Sequence, residues 1–430
     1  MNSVSFLQFS IQSALCLSLS GIINIAMKIE IPSYVSVLMN VLNENGYECF
    51  IVGGAVRSAL LSLPVHDYDL TTNALPVQMK EVFHDFRTIE TGIQHGTLTV
   101  MSDHHPVEIT TYRKDAGYSD HRHPDRVEFT DALKEDCARR DFTINAMACG
   151  TDGKIHDFFN GREDLENRLI RCIGIPQERF DEDALRILRA LRFAARLGFS
   201  IDEKTSDALL SCRALLNFIS MERIRDELMG LLEAPGAPAL FEQYIKVFET
   251  IIPELKDCPD TEKEVMFRRL ANSVTDPLIR VALILCSLRD PAQIMKRMKF
   301  SNHETDIVMN LLNLKERNTD TSSDIRRIIR DLKTEFERFA RFVCAMDESK
   351  NYAAIMKMHE DIINAQQCCT LRQLAVKGND LVQAGLKGRQ ISEALDLLLE
   401  EVIDMKLPND RTALLDYLKQ KEKADCSASE

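Results

Sequence analysis

The apolar pattern changes once along this chain of 430 residues, and the change limits the folds open to it. Between residues 27 and 160, short apolar runs of strand length alternate with short helical stretches. "YECFIVGG" and "HDYDLTT" read as strands, and "GTLTVMSD" and "PVEITTYR" as neighbouring strands or a hairpin. From about Leu165 onward the pattern is helical with few turn signals. The sequence therefore predicts a small α/β head followed by a long all-helical portion.

Two turn-rich segments, "EAPGAPALF" (233–241) and "ERNTDTSSD" (316–324), divide the helical portion. At the N-terminus, an apolar run is broken by Ser and Gln and lacks a preceding Lys or Arg, which favours an over-extended start ahead of Met27 over an export signal. We predict five segments: a non-functional extension (1–26), the head (27–163), a neck (164–232), a helical body (233–320) and a helical tail (321–430).

Composition narrows the class of protein. A hydrophobic share of 45% with 28% charged residues is typical of a folded, soluble chain. The net charge of −13 argues against a surface that is basic throughout, although a local stripe of Lys and Arg would suffice to bind nucleic acid. The twelve cysteines include no C-x2-C pair, which favours reduced thiols and a cytoplasmic location. No segment has the length and apolarity of a membrane span.

The stretch "FIVGGAVRSALLSLPVHDYDLTT" (50–72) carries the first chemical signal. A Gly53-Gly54 turn at a helix start lets backbone N–H groups approach a phosphate, and Arg57 could add a guanidinium clamp. Neither a P-loop nor a dinucleotide-binding fingerprint is present. Taken alone, the glycines favour an ordinary strand-to-helix turn.

Two carboxylates follow these glycines. On a strand, Asp67 and Asp69 would face the same side, and such close like charges call for a cation between them. Oxygen ligands suit Mg²⁺, and Glu108 in "PVEITTY" is a third carboxylate from a neighbouring strand. The alternative is a solvated strand end.

The segment "CARRDFTINAMA" (137–148) places Arg140, Asp141 and Asn145 within a stretch that could otherwise pack. Asp141 could accept from ribose hydroxyls, and Arg140 could reach a phosphate. A helix cap with surface charges is the alternative.

The segment "DEDALRILRALRFAARLGF" predicts one strong helix, with Asp181 as a possible N-cap and Gly198 as its stop. Asp183 and Arg186, three residues apart, would share a face of this helix.

Such a pair of side chains has a chemical use. A carboxylate accepts from the amino group of cytosine or adenine, while a guanidinium donates to the adjacent ring nitrogen or to cytosine O2. Uracil and guanine present the reverse order, so Asp183 and Arg186 would select C and A. Arg189 and Arg192 continue the spacing. A solvated charged face is the alternative.

Taken together, these motifs resemble class II tRNA nucleotidyltransferases, the bacterial-type CCA-adding enzymes of the DNA polymerase beta-like nucleotidyltransferase superfamily. The resemblance covers residues 45–230 almost continuously, and "MKFSN" (298–302) and "KGNDL" (377–381) look like the helical tail of the same enzymes. It is carried by six motifs in the family's order: "GGAVR…HDYDLTTNA", "TGIQHGTLTV", "VEITTYRKDAGYSDHRHPDRVEF", "RRDFTINAMA", "EDALRILRALRFAARLGF" and "ERIRDEL".

The resemblance implies an α+β fold: a nucleotidyltransferase head with a mixed, antiparallel-rich sheet, followed by all-α neck, body and tail. It implies CCA addition to tRNA from CTP and ATP, with the tail gripping the acceptor and TΨC arms. "ERIRDEL" would brace the neck, and its Arg223 and Glu227 could pair. The implied roles are triphosphate binding by Gly54 and Arg57, Mg²⁺ binding by Asp67 and Asp69, nucleotide contact by Arg140, base reading by Asp183 and Arg186, and support by Arg189 and Arg192.

One departure from the family is visible, because Ser58 stands where the family usually has Asp after the motif's arginine. Partial CC- or A-adding enzymes and poly(A) polymerases share the core. The polar segment 113–127 reads as a complete mobile loop, which favours A addition, and the C-terminal "KQKEKADCSASE" lacks the basic block usual in poly(A) polymerases. Two other classes of function are alternatives, an HD-type phosphohydrolase and a pure RNA-binding module. We expect the protein to be a monomer or a homodimer.

Overall fold

The computed structural model describes residues 29–116 and 126–427, which form two compact units, one up to Ser220 and one from Met221. The division falls inside the predicted neck, and the five predicted segments remain predictions. Within the described residues, no helix is both long and apolar enough to cross a bilayer.

The first unit contains the predicted mixed α/β head. Its helices are α1 (Ser33–Glu44), α2 (Gly54–Leu60), α3 (Pro76–Val82), α4 (Leu133–Ala138), α5 (Gly161–Glu166), α6 (Pro176–Glu182), α7 (Arg186–Leu197) and α8 (Glu203–Ser211). Its strands are β1 (Cys49–Val52), β2 (Asp69–Thr72), β3 (Thr88–Ile89), β4 (Thr97–Ser102), β5 (His105–Thr111), β6 (Arg113–Ala116), β7 (Arg126–Phe129), β8 (Met147–Cys149), β9 (Ile155–Asp157), β10 (Leu169–Ile170) and β11 (Ser200–Ile201).

Seven of these strands form one sheet in the order β3-β4-β5-β2-β1-β8-β9. The pairing of β2 with β5 is parallel, and the other neighbours in this sheet are antiparallel. The sheet is therefore mixed and rich in antiparallel pairs, as expected. The runs "GTLTVMSD" and "PVEITTYR", predicted as neighbouring strands or a hairpin, form the antiparallel pair β4 and β5.

Apolar periodicity explains how the sheet is covered. Helix α1 buries Val35, Leu38, Met39 and Leu42, which recur at the spacing of one helical face. Strand β5 alternates in the same way, burying Val107 and Ile109 on the core side and exposing Glu108 between them. The core thus occupies one side of this strand and leaves the carboxylate on the other.

The predicted single helix over 181–199 is interrupted. Helix α6 ends at Glu182, Asp183 adopts an extended conformation, and α7 begins at Arg186. Asp183 itself causes the break, because its Oδ1 accepts from the backbone N–H of Leu185 at 3.1 Å. The prediction of Asp181 as an N-cap was wrong, whereas Gly198 ends α7 in a left-handed conformation (φ 67°) as expected.

Both ends of the segment predicted as a mobile loop (113–127) belong to paired strands, β6 and β7. Residues 117–125 lie outside the described residues, including Tyr118, Asp120, Arg122 and Pro124. A second short pair, β10 with β11, occurs in the portion predicted to be entirely helical.

The second unit is helical, as expected. Its helices are α9 (Met221–Leu232), α10 (Ala237–Gln243), α11 (Ile245–Ile251), α12 (Asp260–Ala271), α13 (Pro277–Leu285), α14 (Pro291–Arg297), α15 (Asn302–Leu314), α16 (Ser322–Asp331), α17 (Phe336–Met346), α18 (Tyr352–Asn364), α19 (Gly378–Gln383), α20 (Arg389–Ile403) and α21 (Arg411–Ser427).

Buried Arg280 on α13 ties part of this unit together. Its Nη1 donates to the carbonyl oxygens of Leu232 and Ala234, each at 2.6 Å, and its Nε donates to Ser273 Oγ at 3.0 Å. The end of α9 and the turn after it therefore obtain a hydrogen-bond donor from α13.

Candidate active site

A cavity of about 460 Å³ in the first unit gathers most of the residues that the sequence singled out. Six of its lining residues are arginines and three are aspartates, so positive charge dominates. The lining residues are Gly53, Gly54, Arg57, Asp69, Arg140, Asp141, Asn145, Asp183, Arg186, Arg189, Arg192, Phe193 and Arg196.

The glycine turn brings the backbone close to a guanidinium. Gly53 has φ +70°, and a Cβ atom there would lie 3.1 Å from Arg140 Nη1. A side chain at this position would thus be both strained and crowded. The turn leads directly into α2, whose fourth residue is Arg57.

A relay of polar side chains crosses the cavity. Arg57 Nη1 donates to Asn145 Oδ1 at 2.6 Å, and Asn145 Nδ2 donates to Asp141 Oδ1 at 3.0 Å. Asp141 Oδ2 in turn accepts from Arg189 Nε and Nη2 at 2.9 and 2.7 Å. Asp141 Oδ1 also accepts from the backbone N–H of Phe142 at 2.8 Å. Asp141 therefore fixes two arginines, one directly and one through an amide.

These contacts and the burial of the side chains explain the ionisation of Arg57 and Asp141. The pKa of Arg57 is lowered to about 10, chiefly by burial and also by the positive charges of Arg189, Arg192 and Arg196, whereas Asp141 acts in the opposite direction. Burial alone would raise the pKa of the Asp141 carboxyl, yet Arg189 and the hydrogen bond from Asn145 hold it below its usual range. Both groups stay ionised at neutral pH.

Two buried donors in this cavity have no partner among the described residues, namely Nε of Arg57 and Nε of Arg140. Buried N–H groups are rarely left unpaired in folded proteins. Such donors in an arginine-rich cavity fit an anionic ligand such as a polyphosphate.

The carboxylates of β2 and β5 lie side by side. Asp69 and Glu108 are register partners in the parallel pair, and Val52 on β1 pairs with Asp69 from the other side. Desolvation by the surrounding protein and the negative charges of Glu108 and Asp67 raise the pKa of Asp69, whereas the positive charge of Arg140 lowers it.

Asp67 does not lie on the strand, which corrects the expectation that Asp67 and Asp69 share a strand face. Strand β2 begins at Asp69, and its antiparallel neighbour β1 ends at Val52, the register partner of Asp69, so Asp67 has no pairing partner on β1. Asp67 is exposed, and its charge nevertheless acts on Asp69.

These carboxylates fit a divalent cation as oxygen ligands. Among the described residues, no set of three or more His, Cys, Asp or Glu side chains is gathered closely enough to form a metal site by itself. Mg²⁺ commonly uses one or two carboxylates and completes its shell with water and substrate phosphates. Asp69, with its raised pKa and acidic neighbours, has the character of such a ligand.

Asp136 anchors the arginine side of the site and was missed by sequence reasoning. It is fully buried, and it accepts from Arg139 Nε at 2.8 Å, Thr71 Oγ1 at 3.1 Å and Arg140 Nη2 at 3.4 Å. Burial would raise the pKa of Asp136, but Arg139 and Arg140 lower it below the usual range. The run "DCARR" offered a signal, because it places Asp136 three and four residues before the two arginines.

Arg186 is buried and held by three acceptors. Nη1 donates to Glu182 Oε2 at 2.7 Å and to the carbonyl oxygen of Arg179 at 3.2 Å, and Nη2 donates to the carbonyl oxygen of Arg139 at 3.0 Å. The guanidinium is thus oriented before any ligand arrives. Because of the break after α6, Asp183 lies ahead of the helix that carries Arg186 and does not share its face.

A second feature missed by sequence reasoning is Phe193. Its ring is buried, and the guanidinium carbons of Arg192, Arg57 and Arg189 lie over it at 4.8, 5.0 and 5.4 Å from the centroid. In the sequence, this phenylalanine reads as an ordinary core residue of a helix.

A third missed feature supports the turn that carries Asn145. A Cβ atom on Gly161 would lie 2.3 Å from the carbonyl oxygen of Thr143, and Thr143 Oγ1 donates to buried Asp164 at 2.6 Å. Helix α5 therefore packs directly against the turn, and only glycine fits at the contact.

The structure brings together all nine residues that the sequence predicted to bind nucleotide, from Gly54 to Arg192, together with Asp69. Asp67 and Glu108 do not line the cavity, although both influence Asp69. All four Asp141 contacts above are made within the protein, so contact between Asp141 and a ribose stays a prediction, as do the other individual roles.

Three family models match successive parts of the chain. "Poly A polymerase head domain" matches residues 49–171, "Probable RNA and SrmB- binding site of polymerase A" matches residues 198–258, and "tRNA nucleotidyltransferase domain 2 putative" matches residues 278–418. The first of these regions contains the sheet, and the start of the second follows α7.

Curated relatives match over most of their length. A CCA-adding enzyme of Lactobacillus helveticus is 35% identical over 89% of this chain and 95% of its own. A CCA-adding enzyme of Pediococcus pentosaceus is 34% identical over 89% of this chain and 96% of its own.

Solved structures agree with this. The Bacillus stearothermophilus CCA-adding enzyme in complex with CTP is 27% identical, with a TM-score of 0.75 over 93% of this chain and 100% of that one. The Thermotoga maritima CCA-adding enzyme complexed with tRNA shares the fold at a TM-score of 0.65 and 20% identity, over 92% of this chain and 97% of that one.

Proposed function

Because this chain belongs to the family of CCA-adding enzymes, we propose that it adds C, C and A to the 3′ ends of tRNA from CTP and ATP without a nucleic-acid template. The reaction is nucleotidyl transfer: the tRNA 3′-hydroxyl attacks the α-phosphate, the bond to the β-phosphate breaks, and pyrophosphate leaves.

One observation carries the proposal, namely that a single cavity joins Arg57, Asp69 and the pair Asp183 and Arg186. Arginines outnumber aspartates in it by six to three, which favours a triphosphate anion. The two buried unpaired Nε donors of Arg57 and Arg140 add hydrogen-bonding capacity for phosphate oxygens.

On the catalytic side, Asp67 and Asp69 would hold Mg²⁺, and Glu108 contributes a third negative charge beside Asp69. When bound, such ions lower the pKa of an attacking hydroxyl and offset the charge on the leaving group. The protein's own residues position the triphosphate: Arg57 is held by Asn145, and Arg140 by Asp136.

On the selective side, Arg186 and Asp183 would read the base edge. Arg186 is fixed by Glu182 and by two backbone carbonyls, so the orientation of its guanidinium is set before a ligand binds. A fixed donor beside a carboxylate acceptor matches C and A and leaves U and G with unpaired groups.

The proposal extends to partners and location. We assign tRNA binding through the acceptor and TΨC arms to the helical tail, residues 321–430. We further propose that the enzyme is cytoplasmic, which is consistent with the free thiols of the described cysteines. We also propose that it acts as a monomer or a homodimer.

The test uses tRNA transcripts that end at the discriminator base, at C and at CC, each supplied with CTP, ATP or both, with and without Mg²⁺. We expect extensions of three, two and one nucleotides when both nucleotides are present. Extension that stops at CC, or that occurs only on transcripts ending in CC, would identify a CC- or A-adding enzyme. A long adenylate ladder on unrelated RNA would identify a poly(A) polymerase.

A further inference from the structure

Phe193 occupies an unusual place for a core residue, because three guanidinium groups surround its ring. The guanidinium carbons of Arg57, Arg189 and Arg192 all lie 4.8–5.4 Å from the ring centroid. This is within the range in which the negative face of an aromatic ring attracts a cation, about 6 Å. The three arginines come from two separate elements, α2 and α7.

These cations repel one another. The charges of Arg189 and Arg192 act on Arg57 in the unfavourable direction, and burial adds to the cost. Asp141 offsets part of it by binding Arg189 directly and Arg57 through Asn145. Arg192 also lies against the ring, so the ring face is a contact common to all three cations.

The ring is itself held in place. Phe142 is fully buried and meets Phe193 edge-on, with centroids 5.9 Å apart and planes at 82°. Phe142 directly follows Asp141, so the same short segment fixes the carboxylate of the relay and the orientation of the ring. Edge-on packing of this kind is a favoured aromatic geometry.

We infer that Phe193 is a positioning residue for nucleotide binding: its ring face keeps Arg57, Arg189 and Arg192 clustered before the triphosphate arrives. The ligand then does not have to draw mutually repelling cations together, and this preorganisation raises affinity. The inference rests on the proposed function, since it concerns how the same cavity receives CTP and ATP.

The sharpest test changes the electrostatics of the ring while nearly keeping its shape. We would replace Phe193 by phenylalanine carrying one to five ring fluorines, which progressively remove the negative face. Binding of CTP and of ATP, measured by calorimetry without tRNA, should weaken stepwise to roughly tenfold at full fluorination. The ratio of CTP to ATP affinity should stay constant, because the triphosphate that the three arginines would receive is common to both nucleotides.

Two substitutions by standard amino acids accompany the fluorinated series. Phe193→Tyr keeps the ring and should bind both nucleotides within about twofold of the parent, whereas Phe193→Leu should bind them about tenfold more weakly. In tRNA extension, Phe193→Leu should raise KM by a similar factor and change kcat less. A matched control is the same fluorination at Phe83, a fully buried phenylalanine that meets Phe86 edge-on and lies outside the cavity.

Affinity that does not depend on fluorination, in a variant with the parent melting temperature, would overturn the inference. Equal losses at Phe193 and Phe83, or equal losses in the Tyr and Leu variants, would do the same by pointing to packing alone. The proposed function is judged separately: if the unmodified protein fails to extend tRNA, that proposal fails whatever the ring series shows.

Discussion

Arg57 donates a hydrogen bond of 2.6 Å to the side-chain oxygen of Asn145, a residue 88 positions further along the chain. This contact joins the helix that follows the glycine turn to the "RRDFTINA" segment. Through Asn145 it also reaches Asp141 and Arg189. The arginine nearest the glycine turn and an arginine of α7 thus have a common support.

Asn145→Ala should weaken the binding of both nucleotides. Arg57 loses its acceptor and Asp141 loses a donor, so we expect KM for CTP and ATP to rise about tenfold and the free energy of unfolding to fall by about 1–3 kcal/mol. Steady-state tRNA extension and urea unfolding measure the two effects. Asn45→Ala, which removes an exposed side-chain contact in the same unit, serves as the control and should change neither.

Asp69→Asn should raise the melting temperature and lower the activity. The raised pKa of Asp69 means that the folded state binds its proton more tightly than the unfolded chain does. The cost to stability therefore builds up as the pH rises from the unfolded-state pKa of Asp69 to its higher folded-state pKa, and the variant should melt at a higher temperature than the parent at neutral pH without added metal.

The same linkage sets the pH dependence of that gain, which should shrink as the pH falls below the folded-state pKa of Asp69 and vanish below the pKa of this group in the unfolded chain. Activity should drop roughly a thousandfold, as the loss of several kcal/mol of metal-ion stabilisation implies. Asp103→Asn, in the exposed turn before β5, is the matched control. A stability gain that persists unchanged in acid would contradict the argument.

Arg186→Ala should relax the choice of nucleotide. The relative kcat/KM for UTP and GTP against CTP should rise by about two orders of magnitude, because the mismatched base no longer faces an unpaired donor. Binding of the triphosphate should largely persist through the other arginines. Arg186→Lys, which keeps the charge and loses the fork geometry, should behave similarly. Unchanged selectivity in both variants would refute the base-reading role.

Arg280→Met should destabilise the second unit without touching nucleotide affinity. The carbonyl oxygens of Leu232 and Ala234 lose their buried donor, which should cost about 2–4 kcal/mol in urea unfolding. Arg268→Met, at a largely exposed position of α12, should stay within about 0.5 kcal/mol of the parent. CTP titrations of both variants should match the parent, since neither residue lines the cavity.

The site could be located from the sequence because the chemistry of the site depends on residue type. Gly54, Arg57, Asp183 and Arg186 were chosen for what glycine, guanidinium and carboxylate groups can do, and the structure places them in one cavity. The parts of the fold with clear alternation, such as strands β4 and β5, could be predicted because their apolar residues recur at every second position.

What the sequence did not reveal depends on contacts without a periodic signal. The apolar spacing continues through Asp183, so the hydrogen bond from the backbone N–H of Leu185 that breaks the helix left no trace in the pattern. Likewise, Phe193 fits the apolar face of α7 whether or not arginines surround its ring. Asp67 was placed on a strand because local alternation does not show where the partner strand ends.

Because β2 and β5 pair directly, the relative position of Asp69 and Glu108 does not depend on the length of the chain between the two strands. Hydrogen bonds between the two strands, rather than the intervening segment, set Glu108 opposite Asp69. Insertions and deletions in the loops of residues 73–104 can therefore accumulate over evolution while the acidic pair is preserved. For protein engineering, the exposed Asp103–His104 turn is a graft point, because it joins β4 to β5 without belonging to the paired register of the two strands.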